Sequence, residues 1–166
     1  MNELQKYVVE ALKSLIKFDN ELIKNQPKEE CINHRFAQHL EEILRKERLL
    51  TKLKINVDVE YDKYKEDKKK SSDGENIRPD IIAHQRKSGV KNNLIAIEAK
   101  KKYISKKDKH KIVDLVNNEE FKYSLGVGVA YLPDKNYMKI NFLLSNNTWE
   151  IYRLNKNDFS IVKTQR

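Results

Sequence analysis

The chain of 166 residues contains 34 lysine or arginine residues and 25 aspartate or glutamate residues, so its formal net charge at pH 7 is +9. This length favours a single domain, residues 1–166, that is large enough to bury a core. The basic excess favours a polyanionic partner, either nucleic acid or an anionic membrane surface. The membrane is the weaker alternative, because no apolar run approaches the length of a spanning helix.

Cysteine content and the N-terminal sequence indicate the compartment. Cys31 is the only cysteine, which excludes an intramolecular disulfide and a cysteine-rich zinc site. Residues 1–18 lack the uninterrupted hydrophobic stretch and the small-residue cleavage site of a signal peptide. We therefore expect a cytoplasmic protein without a membrane segment.

Two amphipathic helices are predicted at the N-terminal end. Apolar residues recur at helical spacing between Leu4 and Ile16, which predicts a helix over about residues 2–24 that Pro27 ends. A second helix is predicted from just after Pro27 to about Lys46. Its expected buried stripe consists of Ile32, Phe36, Leu40, Ile43 and Leu44.

The pattern then changes to that of a β-sheet. Apolar and polar residues alternate over 55–60, which predicts a half-buried strand. Residues 63–77 carry charge, serine and glycine but little to bury, so we expect a mobile loop between strands. Strands over about 78–84 and 93–100 are joined by a polar segment that contains Gly89, as in a hairpin.

The C-terminal third predicts one more helix and three more strands. A basic run over 100–111 leads into a helix that extends to about Asn118. Strands follow over 125–132, 138–145 and 149–154, separated by turn residues.

An aspartate, a glutamate and a lysine fall on the two strands of the predicted hairpin. Alternation places Glu98 and Lys100 on one face of their strand, with Leu94 and Ala96 beneath them. Asp80 on the neighbouring strand then brings a second carboxylate to the same point. Two carboxylates and an ammonium suit a divalent cation bound by oxygen, beside a lysine that orients or deprotonates a water. A site of this composition can hydrolyse a phosphodiester bond.

Each of these residues also has a structural interpretation. Asp80 alone would serve as a turn residue that caps a strand. Glu98 and Lys100 would form an ion pair at a strand end. Glu98 interrupts an apolar strand, however, where an unpaired carboxylate is costly to bury, so a cation or a partner lysine is expected. Metal binding is the favoured interpretation.

These motifs and the order of elements resemble the PD-(D/E)XK nuclease superfamily, whose restriction-endonuclease-like fold has an αβββαβ core. The family's Pro-Asp and Glu-x-Lys motifs would be Pro79-Asp80 and Glu98-Ala99-Lys100. The resemblance implies an α/β protein with a mixed central sheet flanked by helices. Its core would cover residues 28–132, with residues 1–26 as an added N-terminal helix and residues 133–166 as added strands.

The resemblance also implies a glutamate on the helix before the sheet. Glu30 is the preferred match, because residues 30–36 are similar to a Glu-x-x-x-His-Arg-apolar segment in a group of bacterial domains of this superfamily. Those domains also carry Arg-Pro-Asp-Ile-Ile-x-His, which here is residues 78–84. The adjacent Glu29 remains an alternative to Glu30.

The mechanism implied by the family requires Mg²⁺ or Mn²⁺. Asp80 and Glu98 would bind one or two such ions, with the backbone carbonyl of Ala99 as a further ligand. Lys100 would position the attacking water, and Glu30 would hold a second metal or a metal-bound water. The expected activity is that of a magnesium-dependent (endo)deoxyribonuclease in a bacterial defence or DNA-processing system.

Basic residues around the proposed site suit the phosphates of nucleic acid, with DNA favoured over RNA. A charge run is usually only a solvated face, but this one begins at Lys100. The expected nucleic-acid-binding residues are Lys101, Lys102, Lys106, Lys107, Lys109, Lys111, Arg78, Lys68, Lys69 and Lys70.

Two other function classes remain open. The chain could be an inactive module on the same fold that binds nucleic acid or protein, since fold does not imply function. It could also work only as a homodimer or within a larger assembly, with the N-terminal helix as the docking surface. The presence of Asp80, Glu98 and Lys100 together argues for the enzyme.

Overall fold

The computed structural model describes residues 1–64, 67–68, 70, 74, 76–86, 92–144 and 146–164, without the side chains of residues 63, 64, 67 and 68. Within this part of the chain a seven-stranded mixed sheet is packed with four helices. The helices are α1 (Glu3–Lys24), α2 (Glu29–Lys46), α3 (Leu49–Lys52) and α4 (Lys106–Asn117). The strands are β1 (Asn56–Val59), β2 (Lys63–Tyr64), β3 (Asp67–Lys68), β4 (Ile81–His84), β5 (Ile95–Lys100), β6 (Leu125–Ala130), β7 (Tyr137–Leu143), β8 (Trp149–Asn155) and β9 (Ile161–Lys163).

The sheet contains a single parallel pair among its described strands. The strand order is β1-β4-β5-β6-β7-β8-β9, and only β5 and β6 run parallel. Helix α4 connects these two, as a parallel pair requires a crossover. The predicted hairpin is confirmed, since β4 and β5 are adjacent and antiparallel.

Helix α1 begins at a capping box and packs its apolar stripe into the protein. The Asn2 side chain accepts from the backbone N–H of Gln5, whose own side chain accepts from the backbone N–H of Asn2. Val8, Leu12 and Leu15 are fully buried in the core that also holds the stripe of α2. This stripe is therefore not an exposed docking surface, and an assembly through α1 would have to use its other face.

The two sheet faces carry separate cores, as the alternation in β5 predicts. Ile95 and Ile97 join the larger core with α1 and α2. Ala96 joins a smaller core with Leu115 of α4. Leu94 was expected beside Ala96 but packs against the larger core, because the strand and its alternation begin only at Ile95.

Two glycines let the chain after β5 approach the sheet closely. A Cβ atom at Gly126 would lie 2.5 Å from Cγ2 of Ile112 and 2.9 Å from Cγ2 of Val116, both on α4. A Cβ atom at Gly128 would lie 3.1 Å from Ile104, which precedes that helix. The absence of side chains at Gly126 and Gly128 thus lets α4 and the segment before it lie close to this face of the sheet.

Short elements depart from the sequence-based expectation. Helix α3 has four residues and β9 has three, too few for a periodic pattern to show. The predicted loop over 63–77 contains the small antiparallel pair of β2 and β3, and the rest of that loop lies partly outside the described residues. None of the described helices has the length and apolar character needed to cross a membrane.

Candidate functional site

Asp80 and Glu98 meet at one end of the β4–β5 pair. The register places Ile81 opposite Ile97, so Asp80 and Glu98 are the next facing positions. One oxygen of Asp80, Oδ2, accepts hydrogen bonds from the backbone N–H of Ala99 at 2.8 Å and from Nζ of Lys100 at 2.7 Å. The sequence-predicted triad therefore converges in the structure.

Glu98 is a fully buried carboxyl group on the face covered by α4. Its Oε2 lies 2.7 Å from Nζ of Lys111 and 3.7 Å from Nζ of Lys100. Its Oε1 is buried without a hydrogen-bond partner. Burial, and then the charge of Asp80, raise the pKa of Glu98 to about 8 against the opposing effect of the two lysines. Burial thus makes the charged form of this carboxyl group costly, and a bound cation would favour that form.

Glu29, rather than Glu30, is the helix glutamate that reaches the site. Oε1 of Glu29 lies 3.2 Å from Nζ of Lys100, and Oε2 accepts from the backbone N–H of Lys101 at 2.8 Å. Glu30 is exposed. Neighbouring helix residues point about 100° apart, so only one of the two can face the end of β5. The preference for Glu30 is thus corrected to Glu29.

Lys100 is the central cation of the site. Its Nζ lies within 4 Å of the carboxylates of Asp80, Glu29 and Glu98. Burial alone lowers the pKa of Lys100, but the hydrogen bond to Asp80 and the three negative charges outweigh burial and raise it. The raised pKa favours the ammonium form of Lys100, which can donate a hydrogen bond to a water molecule.

The donor atoms of the site suit a hard divalent cation. Carboxylate oxygens of Asp80 and Glu98 and the carbonyl of Ala99 are the ligands that Mg²⁺ prefers. The unpartnered Oε1 of Glu98 is a buried acceptor that lacks a donor. In the described part of the chain, however, no three acidic, histidine or cysteine side chains are grouped as a metal site. The ammonium groups of Lys100 and Lys111 neutralise the carboxylates instead.

The structure distributes the predicted nucleic-acid-binding residues over three settings. Lys102, Lys106, Lys107, Arg78 and Lys70 are exposed. Lys101, Lys109 and Lys111 are partly buried, and they contact the carbonyl of Gln26, the ring of Trp149 and the carboxylate of Glu98, respectively. Lys69 and the side chain of Lys68 lie outside the described residues. Of the exposed residues, Lys102, Lys106 and Lys107 lie nearest in sequence to the end of β5.

A second polar cluster, which the sequence did not reveal, ties β1 to β4. Asp58 Oδ2 lies 3.0 Å from Nε2 of His84, and Asp58 also pairs with Arg86. Burial would raise the pKa of Asp58, but these two hydrogen bonds outweigh it and hold the pKa well below its usual range. The ring of Tyr61 packs on that of His84 at 4.8 Å. These residues come together only because β1 and β4 are paired in this register. No local sequence motif therefore predicts the cluster.

Comparison of the chain with protein-family models, curated proteins and solved structures found no match. The chemistry of the site therefore rests on its geometry: three carboxylates, one central ammonium and a buried acceptor, bordered by exposed basic side chains. Such a set can bind a divalent cation, orient a water molecule and neutralise phosphate charge.

Proposed function

We propose that this protein is a magnesium-dependent nuclease of the PD-(D/E)XK type that hydrolyses phosphodiester bonds, in DNA rather than RNA. The observation that supports it most is the convergence of Asp80, Glu98 and Lys100 at one end of two adjacent strands. Apart from the short elements α3, β2 and β3, the order α2, β1, β4, β5, α4, β6 is compatible with an αβββαβ core and so supports the proposal. A cytoplasmic location in a bacterial defence or DNA-processing system belongs to the same proposal.

Each residue of the site has a separate role in the proposed reaction. Asp80, Glu98 and the carbonyl of Ala99 hold the cation, and the bound Mg²⁺ or Mn²⁺ supplies Lewis-acid stabilisation of charge on the phosphoryl group. Lys100 donates a hydrogen bond that orients the attacking water. Glu29 fixes Lys100 through the 3.2 Å contact with its Nζ.

Exposed basic residues next to this site hold the substrate. Lys102, Lys106 and Lys107 follow β5 directly and lie at the surface. They would neutralise phosphates on either side of the scissile bond and fix the register of the duplex without reading its sequence. The basic excess of the whole chain would add a long-range attraction to DNA.

One observation favours a second function, an inactive nucleic-acid-binding module on the same fold. The buried carboxyl group of Glu98 already has a cation beside it, the ammonium of Lys111 at 2.7 Å. A site whose charges are balanced internally can persist as a structural ion-pair network without binding metal. The two functions share the basic surface but differ in turnover.

Cleavage assays with a matched variant separate the two functions. The full chain is incubated with supercoiled DNA, single-stranded DNA and RNA in Mg²⁺, Mn²⁺ or EDTA, alongside Asp80→Asn, which keeps the side-chain shape. The nuclease should cut DNA only with a divalent cation, and the variant should be slower by at least about 100-fold. Binding to DNA without cleavage of any substrate would establish the inactive module instead.

A further inference from the structure

Lys111 lies inside the candidate site rather than on its basic rim. Its Nζ donates to Oε2 of Glu98 at 2.7 Å and to the backbone carbonyl of Arg78 at 3.3 Å. Its side chain is 24% exposed. The lysine therefore bridges the middle of the site and the segment that leads to Asp80.

Glu98 depends on Lys111 more than on its other neighbouring cation. A buried carboxylate is costly unless a counter-charge or hydrogen bonds compensate it. Lys100 is 3.7 Å from Glu98, beyond hydrogen-bond distance, and its ammonium already binds Asp80 and Glu29. Among the residues that the structure describes, Lys111 is the one whose side chain donates a hydrogen bond to this carboxyl group.

The fold holds Lys111 against Glu98. Ile112, the next residue along α4, is fully buried over Gly126, where any larger residue would meet its Cγ2 atom. The contact between Ile112 and Gly126 fixes the distance and rotation of α4 relative to β6. In this orientation Lys111 faces Glu98 at the end of β5. A divalent cation on this carboxylate would meet the charge of the ammonium, whether it bound Oε2 or the unpartnered Oε1, because two positive charges beside one carboxylate repel each other.

We propose that Lys111 is a resident counter-ion that competes with the divalent cation for Glu98 and so limits the metal affinity of the site. This rests on the proposed metal-dependent function. Lys111 is a positioning residue, because it acts through Glu98 and not on the substrate. Its ammonium is the counter-charge of Glu98 while the metal is absent, and its repulsion weakens metal binding at the same carboxylate.

The test measures binding of Mn²⁺ to the full chain by electron paramagnetic resonance of the free ion at pH 8 and low ionic strength, without DNA. Lys111→Met removes the competing charge and should bind Mn²⁺ about tenfold more tightly or better. Lys111→Arg keeps the charge and should stay within about twofold of the wild type. Lys46→Met, which changes an exposed lysine of α2 that has no role in the proposed site, controls for the loss of one positive charge.

The outcomes separate this inference from the proposed function. Tighter binding in Lys111→Met, abolished by adding Asp80→Asn, supports the competition and places the ion in this site. Unchanged or weaker binding in Lys111→Met, beside wild-type binding that needs Asp80, overturns the competition and leaves the metal site standing. If neither the wild type nor Lys111→Met binds Mn²⁺, both the competition and the proposed metal site are overturned. Should Lys111→Met fail to fold in a thermal melt, Lys111→Gln is judged by the same criteria.

Discussion

The carboxylate of Asp80 and the ammonium of Lys100 form a direct ion pair, with Oδ2 and Nζ 2.7 Å apart. Their side chains are 15% and 26% exposed, so water screens the pair only in part. Removing Lys100 takes the paired ammonium away from a largely buried carboxylate, whereas removing Asp80 leaves Lys100 with Glu29 and Glu98. Variants at these positions must therefore be judged for folding as well as for activity.

Replacing Lys100 by methionine should lower cleavage by about 100-fold or more while Mn²⁺ still binds. The proposed role of Lys100 is to orient the attacking water, and a positioned charge of this kind is worth about 10²–10³ in rate. Single-turnover cleavage and Mn²⁺ titration measure the two effects separately. Lys100→Arg keeps the charge and should recover part of the rate. Full wild-type activity in Lys100→Met would remove this lysine from the mechanism.

Glu29→Gln should reduce cleavage by about tenfold or more, whereas Glu30→Gln should leave it unchanged. Of these two glutamates, Glu29 is the one that contacts Lys100 and the backbone N–H of Lys101, and the adjacent Glu30 is exposed. An amide at position 29 weakens both contacts, because it lacks the negative charge that the ammonium attracts. Parallel rate measurements on the two variants test the assignment. A larger loss in Glu30→Gln than in Glu29→Gln would reverse it.

Glu98 should make the metal-free protein less stable as the pH rises. The pKa of Glu98 is about 8 in the folded chain, against 4.5 for a free glutamate, so between these values the folded state binds more protons than the unfolded state. The free energy of unfolding therefore falls as the pH rises through this window. Glu98→Gln has no titrating group at position 98, so its free energy of unfolding should not show this fall.

Urea unfolding in EDTA at pH 5.5 and pH 8.5 measures this effect. Relative to the wild type, Glu98→Gln should gain stability between the two pH values, on the order of a few kcal/mol. Comparing the two pH values cancels the change in packing, which is common to both. An equal difference between the proteins at both pH values would show that Glu98 does not titrate in this range.

DNA binding in EDTA should weaken steeply with salt, because lysines that contact phosphates release counterions. The triple variant Lys102→Gln, Lys106→Gln, Lys107→Gln should reduce the slope of log K against log salt by about 0.9 for each lost contact. Fluorescence anisotropy between about 50 and 200 mM salt measures the slope.

A matched charge change on the helices at the opposite sheet face serves as the control. Lys6, Lys17 and Lys46 are exposed residues of α1 and α2. Their triple replacement by glutamine removes the same charge, and it should leave the slope nearly unchanged. Equal slopes in both triple variants would assign DNA attraction to net charge alone and not to the segment after β5.

The sequence predicts the Asp80–Glu98–Lys100 group because these residues belong to one antiparallel pair. Within such a pair, alternation and a short connection decide which side chains meet. The choice between Glu29 and Glu30 was beyond local patterns, since it depends on how α2 is rotated over the sheet. The contact of Lys111 with Glu98 depends likewise on how closely α4 approaches β6.

The secondary structure, like the site, can be predicted only in part from local sequence. Helices α1, α2 and α4 and the larger strands carry enough residues for a periodic pattern to identify them. The four residues of α3 and the three of β9 form because the surrounding chain supplies their partners, as β8 does for β9. Neither element can be distinguished from a loop by its own residues.

The buried hydroxyl of Tyr131, which follows β6, donates to Oδ1 of Asn33 on α2 at 2.8 Å. The two residues are 98 positions apart, and contacts of such separation close only after a long stretch of chain has become ordered. Asn33 lies one turn beyond Glu29 on α2, so this bond also anchors the helix turn that delivers Glu29 to Lys100. A chain still emerging from the ribosome before β6 lacks this anchor, so the complete site assembles only after β6 and Tyr131 have been synthesised.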